Sequence, residues 1–196
     1  MISAILLSAG LSKRFKNGNK LIHKFYRREI LLYSIKNILK SKIDEILIIT
    51  GKDHNKIKKI LPKNKKIKVI KNLKYKNGLS SSIKSGIKNI NCNSKGFFIC
   101  LGDMPFFTNN SYNKMIKSFN KSSKYPLVPY FKDQMRNPVL FPMRFLKKLN
   151  TVKGDMGAKK IIIKNKYNKI KFSISKIFCD IDTLDDIKIL IKRNLI

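Results

Sequence analysis

The stretch LLSAGLSKR, residues 6–14, leads on to Lys20 and governs how the whole chain is interpreted. An apolar run over residues 2–7 ends abruptly in small residues, and a hydroxyl, an arginine and a lysine follow it. This order is typical of a buried strand that delivers backbone amides and cations to a phosphate group. We therefore predict a strand over 2–7 with an anion-binding loop at its carboxyl end, and Arg14 and Lys20 as its cations.

The length of 196 residues suits one domain with a full core, and we interpret residues 1–196 as a single domain. No apolar run approaches the roughly 18 residues that a membrane-spanning helix needs, and no charged segment precedes a signal-like core. We expect a cytoplasmic protein without a membrane partner. The 3 cysteines show no CxxC spacing, which indicates reduced thiols rather than a disulfide framework or a zinc site.

The charge is strongly positive, because 44 Lys and Arg stand against 11 Asp and Glu and give +33. Such a charge is compatible with binding to nucleic acid or to an anionic membrane surface. The lysines are spread from end to end, however, and lysine, asparagine and isoleucine are enriched together while arginine is scarce. This pattern favours a compositional bias over a dedicated binding surface. The positive field would still favour a polyanionic ligand such as a nucleotide.

Apolar runs alternate with helical patterns, which predicts an α/β fold: a Rossmann-like, mixed but mainly parallel sheet flanked by helices. The predicted strands cover residues 2–7, 45–50, 67–70, 96–101, 126–130, 137–141, 170–173 and 177–181. The predicted helices cover residues 29–39, 79–90, 108–119, 142–149, 154–163 and 183–191, with a short one between Asp53 and Pro62. We expect Asp53 and Asp155 to cap the helices that they precede.

Acidic residues follow two of the predicted strands. Asp103 comes just after residues 96–101, and Asp182 comes just after residues 177–181. If both strands end at the same sheet edge, two carboxylates and the oxygens of a triphosphate would complete a Mg²⁺ site. With Arg14 and Lys20 offsetting the remaining charge, these parts describe nucleotidyl or phosphoryl transfer. A turn-forming or helix-capping role for Asp103 stays open.

A glycine and three serines mark the start of the helix over residues 79–90. Such a helix terminus offers free backbone amides to a ligand. An ordinary serine-capped helix has the same pattern, and the sequence leaves both interpretations open.

Five blocks, in one order, resemble those of the molybdenum cofactor cytidylyltransferases, which are nucleotidyltransferases of the molybdopterin type. The blocks are SAGLSKR (8–14) with Lys20, NLKYKNGL (72–79) with Ser82, LGDMP (101–105), NPVLF (137–141) and GDMGA (154–158), closed by DIDT (180–183). The resemblance spans nearly the whole chain. It implies a nucleotidyltransferase fold and an enzyme that transfers CMP from CTP to the terminal phosphate of molybdopterin, with release of pyrophosphate.

The resemblance also implies roles for individual residues. Arg14 would hold the β and γ phosphates and Lys20 the α phosphate, whereas Asp103 and Asp182 would bind Mg²⁺. The implied nucleotide-binding residues are Leu7, Ser8, Ala9, Gly10, Ser12, Arg14, Lys20, Gly78 and Ser82. The implied acceptor-binding residues are Asn137, Pro138 and Asp155. A molybdoenzyme that receives the finished cofactor is the implied protein partner, and no specific nucleic acid is expected.

The sequence departs from the family pattern at several positions. Ser8 replaces an alanine, the spacing from Arg14 to Gly18 is altered, and Arg136 stands where a glycine is common. Guanylyl-transferring relatives usually carry two glycines at positions 9–10, so Ala9 favours cytidine. The alternatives are a related enzyme that uses GTP or another phosphorylated or sugar acceptor, a basic nucleic-acid-binding protein without catalysis, and a non-catalytic chaperone that holds the cofactor.

Overall fold

A computed structural model describes residues 1–15, 18–156 and 158–192. The strands in these ranges are β1 (Ile2–Ser8), β2 (Lys24–Phe25), β3 (Arg28–Glu29), β4 (Glu45–Thr50), β5 (Ile67–Lys71), β6 (Gly96–Leu101), β7 (Leu127–Phe131), β8 (Gln134–Met135), β9 (Val139–Pro142) and β10 (Asn168–Lys171). The helices are α1 (Ile30–Leu39), α2 (His54–Ile60), α3 (Leu79–Ile87), α4 (Asn109–Lys121), α5 (Leu146–Asn150), α6 (Lys159–Ile163) and α7 (Leu184–Lys192).

Eight strands join in one mixed sheet in the order β10-β7-β9-β6-β1-β4-β5, with β8 paired to β7. Strand β1 lies parallel between β4 and β6, and β5 lies parallel to β4. Strand β9 runs antiparallel between β6 and β7, whereas β10 is parallel to β7. The predicted α/β class with a mixed, mainly parallel sheet is confirmed. The strands β2 and β3 form a separate small hairpin.

All seven residues of β1 are buried, as its position at the middle of the sheet requires. Successive side chains of a strand point to opposite faces, so β1 contributes to two cores. Ala4 and Leu6 lie in the core under α1 and α4, and Ile5 and Leu7 lie in the core under α3. Burial on both faces explains why this strand reads as a continuous apolar run rather than an alternating one.

Most predicted elements are present. Two strands have the predicted bounds, and the bounds of other elements differ by a few residues. The strands over 45–50 and 96–101 are found with the predicted bounds. The strand predicted at 137–141 begins only at residue 139, and the helix predicted to reach residue 90 ends at residue 87. The helix predicted at 142–149 begins as a 3-10 turn before α5. No helix in the described ranges has both the length and the apolar character needed to cross a membrane.

Three local predictions are wrong. Residues 177–181 form no strand, because Lys176–Phe178 make a 3-10 turn whose apolar side chains are buried without a strand partner. Asp53 stands at the start of α2 but does not cap it, since its carboxylate accepts a hydrogen bond from Asn19 Nδ2 at 3.0 Å.

The third wrong prediction is a helix over 154–163 capped by Asp155. Residues Gly154–Met156 make a 3-10 turn, α6 begins at Lys159, and its N-terminus has no side-chain cap. The Asp155 carboxylate instead accepts a hydrogen bond from the backbone N–H of Leu79, at the start of α3. Gly157, in the same sequence block, lies outside the described residues.

Candidate active site

A cavity of about 430 Å³ opens at the carboxyl ends of β1 and β6. This is the sheet edge at which open α/β folds bind ligands. We call it the main cavity. Its lining includes most of the predicted nucleotide-binding residues and all three predicted site carboxylates, namely Leu7, Ala9, Gly10, Ser12, Arg14, Lys20, Gly78, Ser82, Asp103, Asp155 and Asp182. Ser8 is buried at the end of β1 and does not line the cavity.

Two cations and two carboxylates meet in the main cavity. Lys20 Nζ lies 2.5 Å from Asp103 Oδ2 and 2.5 Å from Asp182 Oδ1. Arg14 Nη2 lies 2.7 Å from Asp182 Oδ2. Burial acts against the charged form of Lys20, but the charge of Asp103 and the hydrogen bonds to both carboxylates outweigh it, so the pKa of Lys20 is raised. The site therefore holds a fully charged ammonium.

The loop that carries Lys20 is fixed by side-chain hydrogen bonds. Ser12 Oγ accepts a hydrogen bond from the Lys20 backbone N–H at 3.2 Å, and Asn19 Oδ1 accepts one from the Leu21 N–H at 2.9 Å. Asn19 also donates to Asp53, which ties the loop to the start of α2. The contribution of Asn19 was not predicted, and its only signal in the sequence is its place next to Lys20.

Backbone hydrogen bonds bring the two distant aspartates together. The Gly102 N–H donates to the Leu7 carbonyl at 3.1 Å, which continues the β1–β6 pairing by one residue. The Asp103 carbonyl then accepts a hydrogen bond from the Ile181 N–H at 3.0 Å. This contact carries Asp182 to the same sheet edge without a strand. Asp103 and Asp182 do lie together, with both carboxylates in contact with Lys20, although the strand expected to deliver Asp182 is absent.

The carboxylates fit a divalent cation that shares its coordination with phosphates. Asp103 Oδ1 is buried and has no hydrogen-bond partner among the described residues, so it is free to act as a ligand. Within the same ranges no group of three or more His, Cys, Asp or Glu residues is arranged to hold a metal by itself. Mg²⁺ commonly binds to one or two carboxylates and completes its shell with phosphate oxygens.

Asp180 lies close enough to Asp103 and Asp182 for their charges to affect its pKa. Burial raises the pKa of Asp180, and the negative charges of Asp103 and Asp182 raise it further. Asp186 shows the opposite shift despite partial burial, because hydrogen bonds from the backbone of Asp182 and from Thr183 lower its pKa. Asp186 Oδ2 accepts a hydrogen bond from the Asp182 backbone N–H at 2.9 Å, and Asp186 thus fixes the backbone that carries Asp182.

The start of α3 forms another wall of the main cavity. Gly78 has a φ of +82°, and a Cβ atom there would lie 2.5 Å from Asp155 Oδ1. The Leu79 N–H donates to the same carboxylate oxygen at 3.0 Å, so Asp155 already takes one of the amides that the sequence suggested for a ligand. Ser82 is buried and accepts a hydrogen bond from Asn72 Nδ2 at 3.1 Å. The positive φ and the lack of space for a Cβ atom both require a glycine at position 78.

A second cavity, of about 280 Å³, adjoins the main cavity and shares Leu7, Leu79 and Leu101 with it. We call it the side cavity. Of the three residues predicted to bind the acceptor, Asn137 lines the side cavity and Asp155 lines the main cavity. Pro138 is buried and lines neither. The structure therefore does not bring these three residues together in one pocket, and their acceptor role stays a prediction.

Residues 4–169 match the family model described as the MobA-like NTP transferase domain. The chain belongs to this family. It is 26% identical to the molybdenum cofactor cytidylyltransferase of Escherichia coli over 188 residues, 94% of this chain and 93% of the relative. It is 29% identical to the probable molybdenum cofactor guanylyltransferase of Thermococcus gammatolerans over 143 residues, 71% of this chain and 67% of the relative. The resemblance predicted from the sequence is confirmed.

Solved structures share the fold at lower identity. The Rv0371c protein of Mycobacterium tuberculosis superposes with a TM-score of 0.84 at 18% identity, covering 97% of each chain. The same protein has a structure in complex with manganese, with a TM-score of 0.78 at 17% identity and 97% of each chain covered. The 4-diphosphocytidyl-2C-methyl-D-erythritol synthase of Anaerococcus prevotii gives a TM-score of 0.79 at 18% identity, covering 100% of this chain and 96% of its own. These likenesses concern the fold, and the chain is a nucleotidyltransferase of the MobA-like type by its family.

Proposed function

We propose that this chain transfers CMP from CTP to the terminal phosphate of molybdopterin and releases pyrophosphate. The observation that carries the proposal is the convergence of Arg14, Lys20, Asp103 and Asp182 in the main cavity. Cations beside carboxylates suit a triphosphate that arrives with a divalent cation. The full-length similarity to a cytidylyltransferase supports the choice of reaction.

The cations have separate tasks in this proposal. The side chain of Arg14 is 74% exposed and reaches across the cavity mouth, where it can bind the β and γ phosphates. Lys20 is fixed deeper in the cavity, where it can bind the α phosphate and stabilise charge as the bond to pyrophosphate breaks. A divalent cation, Mg²⁺ in our proposal, would be held by Asp103 and Asp182 and would neutralise phosphate charge.

The acceptor needs no general base in this reaction. A terminal phosphate is already anionic at neutral pH, so its oxygen can attack the α phosphorus directly. Neither His23 nor His54 lines the main cavity, and His54 instead contacts Thr50 Oγ1 at 2.7 Å. The proposed catalysis therefore rests on positioning and charge stabilisation.

The choice of CTP rests on one position in the loop. Ala9 is buried and lines the main cavity, where its methyl group narrows the space beside the nucleotide. A glycine at this position would leave more room. Similarity to probable guanylyltransferases supports GTP as the second candidate, and 29% identity over 143 residues is close to the value for the cytidylyltransferase.

Pyrophosphate release with molybdopterin as acceptor tests this function. We expect CTP to be used at least about tenfold more efficiently than GTP, ATP or UTP, because one well-fitted base contact is worth about 1.4 kcal/mol or more. The variant Ala9→Gly should move the preference toward GTP. Faster turnover with GTP than with CTP in the wild-type protein would mean that the reaction is guanylyl transfer and not cytidylyl transfer.

A negative assay needs a second measurement. If no nucleotide releases pyrophosphate with molybdopterin, the protein either uses another phosphorylated or sugar acceptor or has no catalytic role, as a chaperone for the cofactor or a nucleic-acid-binding protein. Retention of nucleic acid at several hundred millimolar salt would favour the latter, because non-specific binding to phosphates falls steeply with salt. Either result would overturn the proposed reaction.

A further inference from the structure

The side cavity differs chemically from the main cavity. Ten of its described lining residues are apolar, and the polar ones among them are Arg136, Asn137 and Lys159. Among the residues that the structure describes, no carboxylate lines the side cavity, whereas the main cavity has Asp103, Asp155 and Asp182. The side cavity therefore suits a ligand with an apolar or flat body that carries oxygen acceptors or negative charge.

Arg136 is the polar lining residue of this cavity that has a buried donor without a hydrogen-bond partner among the described residues. Its Nε is buried and has no hydrogen-bond partner among the described residues. On the exposed side, its Nη2 donates to Gln134 Oε1 at 2.7 Å. A buried N–H without an acceptor is unfavourable, and most such groups in proteins are paired. A bound oxygen atom would remove that cost.

A tight hairpin holds Arg136 in place. Tyr130 pairs with Met135 and Phe131 pairs with Gln134, in antiparallel register. Lys132 and Asp133 have φ values of 47° and 56°, the pattern of a turn that matches the twist of its two strands. The Arg136 N–H then donates to the Pro129 carbonyl at 2.8 Å, which continues the pairing beyond the hairpin. The guanidinium is thus carried by a preformed element.

We infer that Arg136 binds the acceptor substrate through an oxygen atom on its non-reacting part, while the acceptor phosphate reaches the main cavity past Leu7, Leu79 and Leu101. The inference rests on the proposed function. It assigns a binding site to the end of the acceptor that the reaction leaves unchanged. The pterin of the proposed acceptor meets the chemical requirement, because it is a flat ring system with a carbonyl oxygen. Arg136 is a specificity residue in this assignment and takes no part in the transfer.

Kinetics and direct binding of molybdopterin test the assignment. The variants are Arg136→Gln, which removes the guanidinium, and Arg136→Lys, which keeps the charge but not the planar donor. Arg27→Gln is the matched control, since Arg27 is exposed and lines neither cavity. KM is measured for molybdopterin and for CTP, and equilibrium binding of molybdopterin is measured without nucleotide. Circular dichroism checks that each variant is folded.

We expect Arg136→Gln to raise the molybdopterin KM and Kd by about 10-fold to 100-fold, the usual effect of losing a charged hydrogen bond. The KM for CTP should change less than about threefold, and Arg27→Gln should behave like the wild type. If Arg136→Gln does not fold, Arg136→Lys gives the same comparison. An unchanged molybdopterin KM and Kd would overturn the assignment.

The outcomes also separate this inference from the proposed reaction. If molybdopterin binds, the Arg136 variants weaken that binding and the wild-type protein releases no pyrophosphate, the pocket assignment stands and the reaction is wrong. If the wild type turns over and the variants bind molybdopterin normally, the reaction stands and the assignment is wrong. A wild-type protein that does not bind molybdopterin at all would overturn the assignment.

Discussion

Lys20 Nζ lies 2.5 Å from Asp182 Oδ1, although 162 residues separate the two in the chain. The same ammonium group lies 2.5 Å from Asp103 Oδ2, so one cation holds both proposed metal ligands. Without it, two carboxylates that lie around the same point would repel each other. Lys20 therefore offsets the repulsion within the carboxylate pair, at a position that a divalent cation would also favour.

Removing this ammonium should therefore strengthen metal binding while it weakens catalysis. We expect Lys20→Met to bind Mn²⁺, without nucleotide, about tenfold more tightly than the wild type, because a competing positive charge is gone. Turnover should fall by about 100-fold, since an electrostatic contact to the reacting phosphate is lost. Mn²⁺ titration followed by electron paramagnetic resonance measures the first effect. Lys24→Met, outside the main cavity, is the control, and an unchanged Mn²⁺ affinity in Lys20→Met would contradict the shared position.

The carboxylate pair can be tested by changes that keep its shape. We expect Asp103→Asn and Asp182→Asn each to lower pyrophosphate release by about 100-fold or more, because an amide is a poor ligand for a hard divalent cation. Unfolding midpoints should stay near that of the wild type. Asp185→Asn is the matched control, since Asp185 is 79% exposed and forms a local ion pair with Lys188 at 3.0 Å. Near-normal activity in both site variants would exclude the proposed metal ligands.

The backbone at Gly78 is a third point at which the site can be tested. Ala at this position would combine an unfavourable positive φ of +82° with a Cβ 2.5 Å from Asp155 Oδ1. We expect Gly78→Ala to lower the free energy of unfolding by about 1–3 kcal/mol, as is usual for strain at such positions. Urea unfolding measures this. Gly10→Ala is the control for stability, because nothing lies within 4 Å of a Cβ there, and equal stability of the two variants would contradict the explanation.

The sequence could predict the sheet and the polar residues at its edge, because both follow from local patterns. Buried strands such as β1 and β6 read as apolar runs, the cations Arg14 and Lys20 lie in the loop that follows β1, and Asp103 comes just after β6. The path to Asp182 could not be predicted in the same way. An apolar run over residues 177–181 is compatible with a strand or with a buried 3-10 turn, and only the tertiary contact from Ile181 to Asp103 decides between them.

Capping was the least predictable feature, for a related reason. Asp53 and Asp155 both stand before helices, as helix caps do, but each carboxylate finds a partner from another part of the chain. Asn19 Nδ2 donates a hydrogen bond to Asp53, and the Leu79 N–H donates one to Asp155. Local sequence gives the position of an acidic side chain relative to its own helix, and it contains nothing about donors that are brought near by the fold.

Glu45 gives a prediction for stability and pH that is independent of the site. Its side chain is 5% exposed and accepts hydrogen bonds from Lys68, Ser3 and the Asn91 N–H. Burial would raise the pKa of Glu45, but these bonds lower it below the ordinary 4.5. The unfolded chain therefore binds this proton more readily, so the stabilisation is complete above about pH 4.5 and is lost as the pH falls through the folded-state pKa. We expect Glu45→Gln to cost about 1–3 kcal/mol at pH 7 and distinctly less at pH 3, measured by urea unfolding. An equal cost at both pH values would show that the charge of Glu45 does not stabilise the fold.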